Sequence, residues 1–165
     1  MRDMGLLSIA LSCLMLVQQG KIAPRPATAP AVDEIIFRGF PFGQKATRAQ
    51  VEALFGQGKS VSEQRVSGNP AVVLQFEGVT VSLVEGKDHT TTVSTIDLTD
   101  NRWNFPAKLR IGSTRQEVLK LLGKADIEHP GELIYGCYEC VWDHKVHFFF
   151  DGDKVKRIQW DFYLG

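Results

Sequence analysis

Charge of one sign is missing from this chain: 19 lysines and arginines stand against 19 aspartates and glutamates in 165 residues, for a formal net charge of zero. Nucleic-acid binding calls for a basic face, and this balance gives no case for it. Cysteine is scarce, with Cys13, Cys137 and Cys140 the whole supply. Long apolar runs are missing too. The run from Gly5 to Val17 is too short to span a bilayer. No phosphate-binding glycine loop, nucleophile elbow or metalloprotease helix motif occurs, which removes the best-marked nucleotide-binding, serine-hydrolase and zinc-protease classes. His89 and His129 fall in predicted loops and read as solvated.

What is present at the start is a targeting pattern. Arg2 precedes the apolar run, and Gln18 to Ala31 is rich in proline and alanine. That order fits a secretory signal followed by a flexible lead-in. Ala27-Thr28-Ala29 has the small-x-small form of a cleavage site but is followed by Pro30; Ala29-Pro30-Ala31 and sites nearer Gly20 are alternatives. Ala10-Leu11-Ser12-Cys13 lacks the leucine of a lipobox, so lipidation of Cys13 is not expected. The expectation is an exported protein, periplasmic or secreted, with no stable membrane span.

The remainder echoes itself. Thr47-Arg48-Ala49-Gln50-Val51-Glu52-Ala53-Leu54-Phe55-Gly56 returns as Thr114-Arg115-Gln116-Glu117-Val118-Leu119-Lys120-Leu121-Leu122-Gly123. Internal similarity of this kind marks a chain built from copies of one unit. Thr47 with Gln50, and Thr114 with Glu117, are spaced for capping boxes. Val51, Leu54 and Phe55, like Val118, Leu121 and Leu122, form one apolar helical stripe. Gly56 and Gly123 supply helix ends. Phe40-Pro41 and Phe105-Pro106 precede the two helices. Strand patterns follow each helix and alternate with period two: Val72, Leu74, Phe76 and Val79, Val81, Leu83; then Val146, Phe148, Phe150 and Ile158, Trp160, Phe162. One apolar face per strand predicts antiparallel sheet covered on one side. Gly68-Asn69-Pro70, Glu85-Gly86-Lys87 and Asp151-Gly152-Asp153 are the predicted turns, and a weakly patterned strand over Val93 to Leu98 closes the first copy. The fold class expected is α+β, two tandem repeats, each a short capped helix followed by an antiparallel β-meander. The divisions are 1–31 signal and lead-in, 32–101 repeat one and 102–165 repeat two.

The one dense polar cluster runs from Gly136 to His147. A redox role for Cys137-x-x-Cys140 wants the first cysteine at a helix N-terminus, whereas Leu133, Ile134 and Tyr135 before it and Val141 and Trp142 after it are strand-like. A zinc reading of Cys137, Cys140, His144 and His147 spaces the two pairs tightly, and on a strand His144 and His147 point to opposite faces. In an exported chain the even pair favours a disulfide across a hairpin tip, with strands Glu132 to Tyr135 before it and one from near Val141 after it. A rival register puts Asp143-His144 at the turn. No metal, cofactor or catalytic residue is expected.

Alternation places Lys145, His147, Phe149, Arg157, Gln159 and Asp161 on the sheet face opposite the apolar one, with Phe149 an apolar ring among polar groups. That mix suits an interface core with a polar rim. Tyr138 and Glu139 at the tip extend the same candidate partner-binding surface.

The order Phe-Pro, capped helix, F-[DE]-G hairpin and aromatic last strand, carried by Thr114, Val118, Leu121, Gly123, Phe150, Gly152, Val155 and Trp160 and by a weaker first set, resembles the β-lactamase-inhibitor-protein repeat. The SmpA/OmlA outer-membrane assembly lipoproteins share that unit. The resemblance covers nearly all of residues 36–165 and implies that the two sheets join into one surface with helices on one face. It implies a non-enzymatic inhibitor or immunity protein whose partner is an exported bacterial hydrolase or toxin. The alternative it implies is a periplasmic envelope-assembly scaffold; a Cys/His metal or redox protein is a third class. The Cys137–Cys140 spacing is shorter than the cysteine loops of the tandem inhibitors.

Overall fold

The computed structural model describes residues 32–38, 44–66, 68–86, 90–103, 109–140 and 143–164, with backbone alone for 60–66. The expected signal and lead-in with Cys13, the two Phe-Pro pairs, Lys87, His89, Val141 and Trp142 lie outside the described residues. Among the described residues no helix is long and apolar enough to cross a membrane.

The architecture is α+β. A π-helical segment, Asp33–Arg38, comes first. Helix α1, Arg48–Phe55, leads into strands β1 (Lys59–Val66), β2 (Asn69–Phe76), β3 (Val79–Glu85) and β4 (Thr91–Leu98). Helix α2, Arg115–Leu122, leads into β5 (Ile127–His129), β6 (Glu132–Gly136), β7 (Lys145–Asp151) and β8 (Lys154–Asp161). The strands form one eight-stranded sheet in the order β1-β2-β3-β4-β8-β7-β6-β5. Every neighbouring pair is antiparallel. Each meander therefore starts at an outer edge and ends at the centre, where β4 meets β8 with Ile96 opposite Trp160 and Leu98 opposite Ile158.

Both helices begin on complete capping boxes. The Gln50 amide donates to Thr47 Oγ1 at 3.3 Å, and the Thr47 amide donates to Gln50 Oε1 at 2.8 Å. The Glu117 amide donates to Thr114 Oγ1 at 3.2 Å, and the Thr114 amide donates to Glu117 Oε2 at 2.7 Å. Two of the orphan amides at each helix start are thus satisfied within the motif itself. Gly56 and Gly123, at φ 89° and 80°, end the helices in backbone that a Cβ would strain.

The helices are anchored to different parts of the sheet. Before α1, the Val93 amide donates to Gln44 O at 2.8 Å, and Thr91 Oγ1 donates to Ala46 O at 3.0 Å. Before α2, the Val155 amide donates to Ser113 O at 2.8 Å, and the Arg115 amide donates to Asp153 O at 2.7 Å. Tyr135 Oη donates to Gly123 O at 2.9 Å and so ties β6 to the end of α2. Burial pushes the Tyr135 phenol above its ordinary value.

One continuous core lies on the helical face. Val51 and Phe55 from α1 and Val118 and Leu122 from α2 join it. So do Leu74, Phe76, Val81, Leu83, Ile96, Leu98, Val146, Phe148, Phe150, Ile158 and Trp160 from the strands.

Several expectations are corrected. Leu54 is 38% exposed, so the α1 stripe narrows to Val51 and Phe55; a helix of two turns presents only a narrow face to one sheet. Asn69 and Pro70 are already in β2, where Pro70 stands opposite Arg65 next to the turn. His129 belongs to β5 rather than a loop, although it is exposed. β7 starts at Lys145, not near Val141. The ladder extends one step beyond the strand, where the Cys137 amide donates to His144 O at 2.9 Å.

Candidate functional site

The open face of the sheet is written in the alternation of its central strands. On β8, Ile158 and Trp160 are fully buried, while Arg157, Gln159 and Asp161 point the other way and are half-buried. On β7, Val146, Phe148 and Phe150 are buried and Lys145, His147 and Phe149 are half-buried. Register then sets the neighbours: Lys145 opposite Asp161, His147 opposite Gln159, and Phe149 opposite Arg157. β6 adds Glu132 opposite Phe149, and β4 adds Asp97 opposite Gln159.

These side chains form one connected network. Arg157 Nε donates to Asp97 Oδ1 at 2.6 Å, and Arg157 Nη2 donates to Gln159 Oε1. Gln159 Nε2 donates to Asp161 Oδ1 at 2.7 Å. The other oxygen of Asp161 lies 3.2 Å from His147 Nε2. Nε2 is buried and makes no aligned hydrogen bond there, so this contact acts through charge more than through direction. His147 Nδ1 lies 2.8 Å from Glu132 Oε1. Phe149 sits inside the network. The Arg157 guanidinium lies 4.4 Å from its ring centroid, and the His147 ring stacks with it at 6.0 Å and 12°. Cation–π contacts of this kind contribute about 0.5–1 kcal/mol at exposed sites.

Electrostatics follow the geometry. The Asp161 carboxylate is the largest influence on His147; with Glu132 on the other nitrogen it outweighs burial and raises the imidazole pKa. Burial pushes Asp161 up, but the close contact and charge of His147, the hydrogen bond from Gln159 and the charge of Arg157 hold it below the ordinary carboxylate value. At Asp97 burial wins over Arg157, and the carboxyl is raised. Both ring nitrogens of His147 face carboxylates rather than a hydroxyl or thiol. The arrangement is a paired polar surface around an aromatic ring.

At one end of this face stands the β6–β7 tip. Cys137 and Cys140 form a disulfide with their Cα atoms 5.5 Å apart. Tyr138, 39% exposed, and the exposed Glu139 lie inside that ring. Tyr138 Oη bonds Asp126 Oδ1, and Asp126 Oδ2 accepts from the Gly136 amide at 2.8 Å. Glu139 pairs with Arg38. The amides of Tyr138 and Glu139 donate to the two oxygens of Asp33, each at 2.9 Å. An open cleft of about 280 Å³ beside the tip is bordered by Asp126, Ile127, Ile134, Tyr138 and Lys145. Lys145 belongs to both the cleft and the sheet face and pairs with Asp143 at 3.1 Å.

Six of the eight sequence-expected residues, Lys145, His147, Phe149, Arg157, Gln159 and Asp161, thus share one face, and Tyr138 and Glu139 stand at its end. The four residues of the zinc pattern do not converge. The cysteines bond each other. His144 is buried against Phe162, ring centroids 5.3 Å apart, and its Nδ1 accepts from the Tyr163 amide at 3.1 Å. Burial lowers its pKa. Sequence reasoning missed Asp97 and Glu132 on the face, and Asp33 and Asp126 at the tip. The first two carry a signal only through strand register; the last two come from segments with no pattern linking them to the cysteines.

No family model matches this sequence, and no curated protein does. Among solved structures, this chain is similar to the crystal structure of a DUF4309 family protein (YjgB) from Bacillus subtilis, with 17% identity, 82% of this chain and 96% of that chain covered, and a TM-score of 0.46.

Proposed function

We propose that this chain is an exported, non-enzymatic protein-binding module, an inhibitor or immunity protein that grips a bacterial hydrolase or toxin by its open sheet face and its disulfide tip. In this reading the chain is a tandem of two units like the β-lactamase-inhibitor-protein repeat, each a capped helix and a four-stranded meander. The observation that carries the proposal is Phe149. It is a half-buried ring on a sheet face, in contact with His147 and Arg157 and set in the polar network of Glu132, Asp97, Gln159 and Asp161. Aromatic and arginine side chains at the centre of a charged rim are the composition of interface hot spots. Order in this network also means that little side-chain freedom remains to be lost on binding.

The test compares wild-type protein with Tyr138→Ala, Phe149→Ala and their double variant. Each is immobilised and offered periplasmic and secreted extract, and captured proteins are quantified by mass spectrometry. The expected result is one exported hydrolase or toxin whose activity the wild-type chain inhibits stoichiometrically. Each single substitution should weaken that complex by about 2 kcal/mol if both residues are anchors. A double variant that keeps full affinity with its circular dichroism unchanged removes the open face from the proposal. Capture of an outer-membrane assembly component instead would favour the scaffold role.

A further inference from the structure

The Asp33 carboxylate is 2% exposed, yet it belongs to the first described segment of the chain and reaches the tip of a hairpin 105 residues away in sequence. It is held there by backbone. Tyr138 N donates to Oδ1 and Glu139 N to Oδ2, both at 2.9 Å. Two successive amides aimed at one anion make a backbone nest, which chain geometry must hold open. The chain geometry here is the ring closed between Cys137 and Cys140, with exactly those two residues inside it. Arg38, at the far end of the same segment, pairs with the Glu139 side chain. The middle of the segment is anchored differently: Ile36 is buried in the core, and its carbonyl accepts from Trp160 Nε1 at 3.4 Å.

We propose that the Cys137–Cys140 disulfide is a redox latch for the segment Asp33–Arg38: closed, it turns the Tyr138 and Glu139 amides onto Asp33; opened by a dithiol reductant, it lets that segment go. The inference stands apart from the partner-binding role and needs no partner. In the opening step one thiolate of the reductant attacks a cysteine sulfur and the Cys137–Cys140 bond breaks. The second thiolate of the reductant then attacks the reductant sulfur in the mixed disulfide and displaces the remaining protein cysteine as a thiolate. Two electrons and two protons end on Cys137 and Cys140 as thiols, and the reductant leaves as its own disulfide. Both cysteines are only half-buried, so such a reagent has access.

The consequence follows from the burial of Asp33. A four-residue loop freed of its bridge regains backbone freedom, and its two amides no longer converge. A buried carboxylate that loses these two donors is costly to keep buried, and moving into water relieves it. Val32 and Ile36 resist, because release also exposes them. Opening is therefore a local equilibrium, shifted by the state of the bridge, while the sheet stays folded.

Hydrogen exchange read by mass spectrometry on the full chain tests this. Reduction should speed exchange over residues 33–38 by about tenfold or more, as expected for a locally opening unit, with β7 and β8 unchanged and reoxidation restoring protection. The Cys137→Ser/Cys140→Ser variant should behave like the reduced protein. Asp33→Asn in the oxidised protein should free the same segment, and reducing that variant should add nothing further, because both changes break one interaction. Unchanged protection of 33–38 on reduction overturns the latch. So does simultaneous loss of protection in β7 and β8, which would make the bridge a global staple. Independent, additive effects of Asp33→Asn and reduction would separate the bridge from Asp33 and overturn it as well.

Discussion

His147 and His144 are separated by two residues in sequence and respond to pH in opposite senses. His147 has its pKa raised by Asp161 and Glu132. Its stabilising contribution is fully present below the unfolded histidine value of about 6.5 and is lost as pH rises through the folded value. His144 is buried as the neutral ring, and its Nδ1 must stay unprotonated to accept from Tyr163. Its contribution is present above about 6.5 and is lost as pH falls toward its lowered folded value. His147→Gln should therefore remove a loss of stability between neutral and mildly alkaline pH, of about 1 kcal/mol or less, the scale of partly exposed ion pairs. Urea unfolding of wild type and variant at pH 6 and pH 8.5 measures it; an equal drop in both proteins would show that His147 is not the group that titrates. At this scale the sequence was half legible. Period-two alternation is a local property, so it placed His147, Phe149 and Arg157 on one face before any pairing was known. Glu132 and Asp97 joined them only because register sets β6 and β4 beside β7 and β8, and register is a tertiary result. Asp33 was invisible for the same reason, since its donors lie across the fold.

Among the elements, the two helices were the most legible because their start signals are self-contained. Thr114 and Glu117 satisfy each other's amides whatever the sheet does, and the Thr114 amide lowers the Glu117 pKa by bonding its carboxylate. What the cap contributes and what packing contributes separate cleanly. Glu117 is exposed, so Glu117→Ala should cost about 1 kcal/mol or less as a lost capping partner. Val118 is fully buried, so Val118→Asp places an unpaired charge in the core and should unfold the chain or cost more than about 3 kcal/mol. Chemical denaturation of both variants checks the contrast, and similar small effects would mean that α2 is not held by the sheet. Legibility fell at the edges. β1, Lys-Ser-Val-Ser-Glu-Gln-Arg-Val, is an outermost strand whose sequence carries little apolar alternation. β5 has three residues, all exposed, and leaves no pattern to find. Leu54 misled for a related reason: its spacing fits the stripe, but a helix lying on one flat sheet buries only its innermost positions.

Across the whole molecule, the sheet order decides how the halves depend on each other. The last strand of each meander is a central strand of the common sheet, and β4 to β8 is the seam. Ile96 and Leu98 on one side of it, with Trp160 and Ile158 on the other, are fully buried in one core that also holds Val51 and Val118. Separating the halves would expose that seam and leave two units of a size that buries too little surface for comfortable stability. A chain so joined should unfold in one transition, with no state in which one half is intact alone. Trp160 reports on the seam directly. Trp160→Ala removes the largest fully buried side chain among the described residues and should cost about 3–5 kcal/mol, lowering the stability of both halves together. Urea unfolding followed by far-ultraviolet circular dichroism and by tryptophan fluorescence should give coincident curves in the wild type. In the variant, Trp103 and Trp142 remain as fluorophores, and the two curves should again coincide at lower denaturant. A variant in which fluorescence and ellipticity separate, one moving with the seam and the other staying at the wild-type midpoint, would mean that the halves fold as independent bodies joined only by hydrogen bonds between β4 and β8.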